Sequence, residues 1–392
     1  MMVVDRLKEW VAMSIIFVFN LLPIKKNKII IFSYYGSQYG CNPKYITAYL
    51  LDHAEEQFDL VWAFNEPDKH LLPKQIRKVK MMSFNYFYEL CTAKVIITNY
   101  RTTKFFHKRK KQYYIQTWHS SLRLKKIEKD AIEDLTEEYL NMAQKDSLKC
   151  DLLLSGCRKS TEIFNQSFWY DGEIFEHGTP RNDLLLQPGK PKRAQFMEKI
   201  NLSPKKKVIL YAPTFRKHNH RSFYNLDFKK IVNAVERKFG GSWVFMVKLH
   251  PHLKGQSTKL LPGHVHDVTR YDDIQELLFI ADLLITDYSS LMFDFSITKR
   301  PCLLYVPDLT RYTNGERGLY FDLEELPFIN AYSNGQLINE IKNFDKQSYE
   351  QNLNEFFTKI VSYESGQARK KLVERIKEIC FEEQRSKLNE AI

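Results

Sequence analysis

Residues 283–295 have the sequence LLITDYSSLMFDF, and the change of pattern inside this stretch decides the predicted fold. The apolar residues 283–285 predict a short buried strand, and the polar residues 286–290 favour a turn and a helix cap. The apolar pattern that restarts at Leu291 predicts a helix. A strand that passes through two serines into a helix leaves backbone N–H groups beside two hydroxyl groups, which is a natural position for a phosphate. The alternative is an ordinary capped helix in an α/β protein.

The same alternation of strand and helix patterns runs through most of the chain. Helical patterns cover residues 42–51, 84–92, 122–143, 228–238 and 274–280. The strands between them are apolar throughout, which predicts parallel sheets covered by helices on both faces. The predicted strands are residues 28–32, 60–64, 94–98, 113–118, 151–155, 208–211, 243–249, 265–268, 283–285 and 302–306.

A change of composition at residues 188–207 divides this pattern into two halves. Prolines, a glycine and lysines replace the strands there, so we place the boundary between two α/β units at this point. Two doubly wound units in series usually hold their site in the cleft between them, at the carboxyl ends of the strands. The predicted segments are an amphipathic helix at 1–27, a first Rossmann-like unit at 28–190, a second at 191–335, and a helical C-terminal tail at 336–392.

Composition narrows the class of protein. Apolar residues are 44% of the 392 residues and aromatic residues 14%, which excludes a disordered chain. The excess of 59 Lys and Arg over 47 Asp and Glu indicates an anionic partner, which could be nucleic acid, anionic lipid or a phosphate-bearing substrate. The six cysteines are scattered, without a CxxC pair or zinc spacing, as in a cytosolic protein with reduced thiols.

The N-terminal segment 10–24 carries no charge and is flanked by basic residues. It is shorter than the about 20 apolar residues of a membrane-spanning helix. It also lacks the small-residue cleavage site of a signal peptide. We therefore predict a membrane-associating helix that lies in the interface, with its lysines facing anionic headgroups. The alternative is a helix packed on the protein's own surface.

Polar side chains follow the predicted strands in both halves, as a cleft at the strand ends requires. The candidates are His119, Ser120, Ser121, Arg123, Lys125 and Lys126 after 113–118; Thr214, Arg216 and Lys217 after 208–211; Lys248 and His250 after 243–249; Thr286, Asp287, Ser289 and Ser290 after 283–285; and Arg181 in the turn HGTPRND at 177–183.

Each candidate also has a purely structural interpretation. His119 could be a core histidine, and His250 could end a strand before Pro251. Asp287 could cap the helix that follows, and the basic residues at 123–126 could be one solvated face of a helix. The functional interpretation gains weight because such clusters recur at strand ends in both halves.

The chemistry open to these residues is narrow. The chain has no GKS or GKT loop, no GxGxxG after its first strand and no DxD pair, so the motifs require neither a metal nor a cofactor. Charge on a phosphate would be stabilised by Arg, Lys, His and the start of a helix. A neutral histidine can accept a proton from an alcohol. Together these features predict transfer of a phosphate-linked group to a hydroxyl, with a nucleotide leaving.

Several segments in one order resemble a known family, the CDP-glycerol glycerophosphotransferases of bacterial wall teichoic acid and related surface-polymer synthesis. The resemblance covers roughly residues 20 to 325, and HGTPRND together with TDYSS makes it specific. The segments are LLPIKKNKIIIFSYYGSQYGCNPKYI, QTWHSSLRLKKIEKD, HGTPRNDLL, ILYAPTFR, VKLHPH, ITDYSSLMFDF, KRPCLLY and RGLYFDL.

The resemblance implies a GT-B-like fold, in which two Rossmann-like domains with parallel sheets face a cleft and helices complete the C-terminus. CDP-glycerol would bind the second domain. A lipid-linked saccharide or polymer acceptor would enter from the first, on the cytoplasmic face of the bacterial membrane, where the protein would be peripheral. The acceptor hydroxyl would attack the β-phosphorus and release CMP.

The resemblance also assigns roles by motif position. His119 would be the general base, and His250 would steady the pyrophosphate. The donor-binding residues would be Arg181, Thr214, Arg216, Lys248, Thr286, Asp287, Ser289 and Ser290. The acceptor side would hold Ser120, Ser121, Lys125 and Lys126.

Alternatives remain open from the sequence. Ser120 stands where the family often has glycine, and its Cβ restricts the backbone of the acceptor loop. Relatives that use CDP-ribitol share these motifs, and the chain could be a primase, a polymerase or a capsule enzyme. A different class is a non-catalytic basic protein that binds a membrane or nucleic acid. Against nucleic acid, the sequence has no helix-turn-helix, RNP or zinc module. The sequence does not determine the oligomeric state.

Overall fold

The computed structural model describes residues 2–54, 57–187, 189–216, 226–250, 261–315 and 318–389. The predicted site residue Lys217, and Pro251 after His250, lie outside the described residues. Each half of the chain forms one parallel sheet with helices on its faces. The predicted α/β class, with two doubly wound parallel sheets, is confirmed.

The first sheet has seven parallel strands in the order β3-β2-β1-β4-β5-β6-β7. The first strand along the chain lies inside this sheet and is apolar on both faces: Ile29 and Ile31 pack on one side and Ile30 on the other. This is why the run KIIIF does not alternate with polar residues. The strands are β1 Lys25–Phe32, β2 Asp59–Phe64, β3 Ile76–Lys80, β4 Ala93–Thr98, β5 Tyr113–Gln116, β6 Leu152–Leu154 and β7 Glu173–Phe175.

The second sheet has six parallel strands in the order β10-β9-β8-β11-β12-β13. In both sheets the chain order reverses beside the first strand, at β1/β4 and at β8/β11. In such folds the crevice for a ligand opens at the carboxyl ends of the strands beside that reversal. The strands are β8 Lys207–Tyr211, β9 Trp243–Val247, β10 His266–Asp267, β11 Leu283–Thr286, β12 Cys302–Tyr305 and β13 Ile329–Ala331.

The helices cover both faces of the sheets. They are α1 Met2–Phe19, α2 Cys41–Ala54, α3 Phe84–Thr92, α4 Glu137–Ser147, α5 Arg158–Ser167, α6 Lys190–Lys199, α7 Phe228–Phe239, α8 Ile274–Ile280, α9 Leu291–Ser296, α10 Leu309–Gly315, α11 Asn334–Asn343, α12 Lys346–Ile360 and α13 Ala368–Asn389. Helices α3 and α8 begin and end where the sequence predicts. Ser83 and Asp273 cap them through hydrogen bonds from the backbone N–H groups of Tyr86 and Gln275.

The segment 336–392, predicted as a helical tail, is shared between the two units. Helix α12 packs into the core of the second unit, where Leu353 is fully buried. Helix α13 returns to the first sheet and buries Leu372, Val373 and Ile376 against it. The sequence shows an apolar stripe on α13 but not which sheet covers it, since the stripe fits either surface.

The predicted long helix at 122–143 is wrong. The structure has a 3-10 helix at Glu128–Asp134, followed by α4, and an extended segment before them. In that segment Lys125 forms an antiparallel bridge with Leu319 of the second unit. The N–H of Tyr320 donates to the carbonyl of Leu124 at 2.8 Å. The apolar residues of this segment are therefore buried by the other unit and not along one face of a helix.

Candidate active site

The loop after β5 places His119 at the cleft. Its backbone is unusual, because Trp118 has φ 47° and Ser120 has φ 93°, both in the left-handed region. A non-glycine residue there is strained, and such strain concentrates at functional sites. The indole of Trp118 lies 5.0 Å from the His119 ring, nearly parallel to it, and packs edge-on against Phe168. The imidazole is thereby oriented while the residue stays exposed to solvent. The interpretation of His119 as a buried core histidine is therefore wrong.

The surroundings of His119 disfavour its protonated form. Although the residue is exposed, protein atoms around the ring remove part of its hydration, and this desolvation is the main cause of a lowered pKa. The cations of Arg181 and Arg123 act in the same direction, while a hydrogen bond with the Asn99 backbone and the charge of Asp294 oppose it. The net effect lowers the pKa of His119 to about 4. The imidazole is therefore neutral near pH 7, as a general base must be.

The residues after His119 are bonded directly to the start of α9 in the second unit. The N–H and hydroxyl of Ser121 donate to Asp294 at 3.0 and 3.1 Å, and the N–H of Leu124 donates to the Ser290 hydroxyl at 3.2 Å. A Cβ at Gly156 would lie 2.5 Å from the Ser121 Cα, so only glycine allows this close approach. The loop with the candidate base and the TDYSS segment are thus brought together across the two units.

The serine pair keeps the groups that a phosphate needs. Ser289 and Ser290 are half-buried, and Ser290 precedes α9 without using its side chain as a helix cap. In the described part of the chain, the backbone N–H groups of both residues meet no acceptor. The Ser290 hydroxyl accepts from Leu124 and keeps its own proton to donate. These amides and hydroxyls are the donors that an anionic oxygen would accept from.

Asp287 holds a buried cluster and does not cap α9. It accepts from the N–H of Thr214 at 2.9 Å and from Arg216 Nη2 at 2.9 Å. Arg216 Nε donates to Asp308 at 2.8 Å, and the guanidinium lies 4.9 Å from the rings of Tyr288 and Tyr312. Its charge is balanced by two carboxylates, so its contacts fix the loop after β8 to the end of β11.

The remaining donor-side candidates also join strand ends to one another. The Thr286 hydroxyl donates to the carbonyl of Ala212 at 2.7 Å. Lys248 Nζ donates to the carbonyl of Tyr271 at 2.5 Å. His250 is half-buried after β9, and its ring lies 5.6 Å from that of Phe215. Strands β9, β8 and β11 are neighbours, so His250 lies at the carboxyl ends of the strands together with Thr214 and Asp287.

Arg181 lies under the cleft as a joint between the units. Its side chain is 4% exposed and forms an ion pair with Asp294, which is fully buried, and its N–H donates to Asn42 at 3.0 Å. Asn182 also donates to Asp294, at 3.1 Å. The turn HGTPRND thus fastens α9 of the second unit to the first. A contact between Arg181 and the donor nucleotide stays a prediction.

The sequence analysis missed Asp294, the centre of this joint. It lies in LMFDF, a short apolar helix in which an acidic residue has no place unless it is paired. That mismatch was the available signal, but nothing local identifies the partner, since Arg181 is 113 residues away.

The acceptor-side candidates are divided. Ser120 and Ser121 are buried in the loop, and Lys125 Nζ lies 5.3 Å from the Tyr312 ring. Lys126 is exposed and borders a cavity of about 230 Å³ at the junction of the units. The other residues of the wall are Asp130, Lys159, Glu162, Ile163, Gln166 and Tyr320. Six of the seven lining residues carry a side-chain hydrogen-bond donor or acceptor, which suits a hydroxylated or phosphorylated ligand.

Within the described ranges, no three His, Cys, Asp or Glu side chains are grouped so that they could hold a metal ion. The expectation of metal-free transfer remains a prediction. No helix in the same ranges is both long and apolar enough to cross a bilayer.

Comparison with known proteins gives consistent matches over most of the chain. The model of the family "CDP-Glycerol:Poly(glycerophosphate) glycerophosphotransferase" matches residues 14–378. A teichoic acid poly(glycerol phosphate) polymerase of Bacillus spizizenii is 31% identical over 93% of this chain and 95% of its own length. The corresponding polymerase of Staphylococcus epidermidis is 33% identical over 88% of this chain. The chain spans 50% of the length of that second relative.

Solved structures agree. The wall teichoic acid polymerase TagF superimposes with a TM-score of 0.84 at 30% identity, covering 97% of this chain and 96% of that one. A histidine variant of TagF solved with CDPG gives a TM-score of 0.81 at 31% identity, covering 92% and 91% of the two chains.

Proposed function

Because the chain belongs to the CDP-glycerol:poly(glycerophosphate) glycerophosphotransferase family, we propose that it transfers glycerol phosphate from CDP-glycerol to a hydroxyl group of a lipid-linked acceptor or growing polymer. The product would be a teichoic acid or capsule-type surface polymer, and CMP would be released. The predicted family, its GT-B-like fold and CDP-glycerol glycerophosphate transfer in teichoic acid synthesis as the reaction class are confirmed. The acceptor, the number of units added and the roles of residues are proposals.

One observation carries the proposed mechanism: the loop that presents His119 is hydrogen-bonded to Ser290, which precedes α9, and to Asp294 within α9. The loop that carries a base neutral near pH 7 is therefore hydrogen-bonded to the segment whose amides and hydroxyls meet no acceptor among the described residues. In the proposed step, the acceptor hydroxyl loses its proton to the free nitrogen of His119 and its oxygen bonds to the β-phosphorus. The bond from that phosphorus to the oxygen of CMP breaks. Ser289 and Ser290 bind the phosphate oxygens, and His250 stabilises the departing CMP.

The acceptor side is proposed at the cavity beside Lys126. This residue is seven positions after His119, so the two Cα atoms lie within about 25 Å of each other, even for a fully extended chain. The next units of a polyol-phosphate acceptor would fit within that distance. The mixed wall would supply Lys126 and Lys159 for a phosphate, and Asp130 and Gln166 for hydroxyl groups.

Helix α1 supports attachment to the membrane surface. Ala12, Ile16 and Phe19 are buried against the first unit. The opposite face exposes Trp10 (70%), Phe17 (69%) and Val18 (56%), and the turn after the helix exposes Leu21 (73%). Removing such side chains from water contributes roughly 1.5–3 kcal/mol each. A monomer that leaves them in water would lose that contribution.

The basic segment 104–111 lies beside this helix. Lys104 pairs with Glu9 of α1 at 2.6 Å, and Arg109 donates to the carbonyl of Leu22 at 2.7 Å. An apolar face bordered by cations fits an interfacial helix on anionic lipid. We therefore propose a peripheral position on the cytoplasmic face of the membrane, where CDP-glycerol would be available. The structural alternative for 10–24 holds for one face of α1 only.

The test is release of CMP by the purified protein with CDP-glycerol or CDP-ribitol and a panel of lipid-linked acceptors. Turnover with CDP-glycerol supports the proposal, and turnover with CDP-ribitol alone would assign the polyol to ribitol. Product length distinguishes a primase, which adds one unit, from a polymerase. Repeating the assay with a chelator tests the proposed independence from metal. Vesicle binding without CMP release under any condition would favour the non-catalytic alternative.

A further inference from the structure

Arg123 is a buried cation on the loop that carries His119. It is 3% exposed and lies between Leu122 and Leu124, which are fully buried. Its guanidinium carbon is 4.1 Å from the centre of the Phe164 ring. This stacking gives the flat guanidinium group a packing partner. It does not account for the positive charge.

The charge of Arg123 has no counter-charge in contact. Its Nε and Nη1 atoms are buried and meet no acceptor in the described part of the chain. No carboxylate in that part forms an ion pair with it, whereas Arg181 and Arg216 each contact an aspartate. Burial lowers the pKa of Arg123 to about 10, so it remains a cation near pH 7. An uncompensated buried charge is strongly destabilising. We therefore expect that a group which binds from outside the protein supplies the counter-charge during function.

The position of Arg123 indicates what that partner is. The residue is four positions after His119, and its cation is one of the two that lower the pKa of the histidine. The other titratable groups that face it electrostatically are Cys157, Tyr320 and Asp294. Asp294 is already bound by Arg181, so it is not free to compensate a second guanidinium. In the proposed reaction CDP-glycerol carries phosphate, and so does a growing glycerol-phosphate polymer.

We propose that Arg123 is a positioning residue for the transfer reaction, and that a phosphate group of a bound substrate balances its charge. This proposal rests on the proposed function for the identity of the substrates. Because Nε and Nη1 are enclosed, the phosphate would be met through Nη2, and the charge of the whole delocalised guanidinium would be compensated. The phosphate could belong to CDP-glycerol or to the acceptor.

The variants Arg123→Met and Arg123→Lys test the proposal, with Arg300→Met as the matched control. Arg300 is also largely enclosed, but it donates to the carbonyls of Leu278 and Phe279 at 3.1 and 3.0 Å. It lies at the amino ends of the strands of the second sheet, away from the cleft. In the absence of ligand, the Arg123→Met variant should have a higher thermal midpoint than the natural protein, because the uncompensated charge is gone. It should lose most of the rise in midpoint that inorganic pyrophosphate produces, and it should lose the rise with CDP-glycerol as well if the donor supplies the phosphate. Arg123→Lys should keep that response, and Arg300→Met should have a lower midpoint with a normal response.

Two further measurements identify the source of the phosphate. Arg123→Met should either weaken CDP-glycerol binding in calorimetry or raise the KM for the acceptor. The change should be roughly tenfold, as expected for a lost hydrogen bond to a charged group. The acid limb of its kcat/KM profile should move to higher pH, because one cation near His119 is removed. A purely structural Arg123 would leave both ligand affinities unchanged, whereas the acid limb would move in either case because the Arg123 cation acts on His119 in the free protein.

The inference is overturned if Arg123→Met fails to fold or melts lower than the natural protein, since removing an uncompensated charge has to stabilise the free enzyme. Unchanged affinity for both substrates would overturn it as well. Failure of the proposed function is distinguishable. In that case the natural protein releases no CMP, while the response to inorganic pyrophosphate still reports whether Arg123 meets phosphate.

Discussion

Replacing Asp294 by asparagine should unfasten the two units at their joint. Asp294 is fully buried and accepts from Arg181, from Asn182 at 3.1 Å, and from the N–H and hydroxyl of Ser121. Asparagine keeps the shape but removes the charge, so the guanidinium of Arg181 is left buried without a counter-charge. Breaking a buried ion pair in this way costs about 3–5 kcal/mol. The amide also offers one acceptor oxygen in place of two, so part of the hydrogen bonding is lost.

Two quantities are measured: the thermal midpoint of unfolding, by calorimetry, and the rate of CMP release. We expect the thermal midpoint of Asp294→Asn to fall by roughly 5 to 10 °C. CMP release should fall as well, because Ser121 no longer holds the His119 loop on α9. The control is Glu66→Gln, which removes an exposed pair with Lys69 and should cost at most about 1 kcal/mol. The double variant Arg181→Met with Asp294→Leu should recover part of the lost stability, since no unpaired charge is then buried.

A loss of stability below about 1 kcal/mol for Asp294→Asn would refute this reasoning, because it would mean that solvent reaches the joint. A double variant less stable than Asp294→Asn would also contradict it. In that case the hydrogen bonds of Asp294 to Ser121 and Asn182, and not the ion pair, would dominate.

Further predictions concern the base, its loop and the membrane surface. His119→Ala should abolish CMP release while CDP-glycerol affinity in calorimetry stays close to that of the natural protein; unchanged turnover would reject the base. The acid limb of kcat/KM should lie below pH 6.5, the ordinary pKa of histidine, because the folded protein lowers the pKa of His119. Since the unfolded chain takes up that proton more readily, stability should also fall as the pH drops below about 6.5, and a limb at or above that value would contradict the assignment. Ser120→Gly should stabilise the protein by about 1 kcal/mol in urea unfolding, because φ 93° costs serine more than glycine; a destabilised variant would show that the loop is not strained. The triple variant Trp10→Ser, Phe17→Ser and Leu21→Ser should stay in the supernatant when anionic vesicles are sedimented, while turnover on a soluble acceptor continues; co-sedimentation would reject the anchor.

The predicted strands and the two precisely bounded helices depend on local information. The runs KIIIF, LVWAF and LLIT are apolar enough to identify buried parallel strands, and Ser83 and Asp273 mark helix starts through their own side chains. Strands β3, β7 and β13 were not predicted from the sequence, and each lies at an edge of its sheet. An edge strand such as IRKVK is polar where it faces solvent, so its pattern does not stand out from a loop.

The sequence by itself determined the two α/β units and the positions of polar clusters after strands, because hydrophobic periodicity and turn chemistry act over a few residues. Only the tertiary structure decided what each cluster contacts. Arg181 and Arg216 belong to buried ion pairs, the segment around Lys125 is extended against the second unit, and α13 returns to the first sheet. The partners of these residues lie far away along the chain, up to the 324 positions between Lys377 of α13 and His53. Charge pairing and the burial of an apolar stripe have no periodicity that would reveal such a partner, and it is chosen when the two units meet.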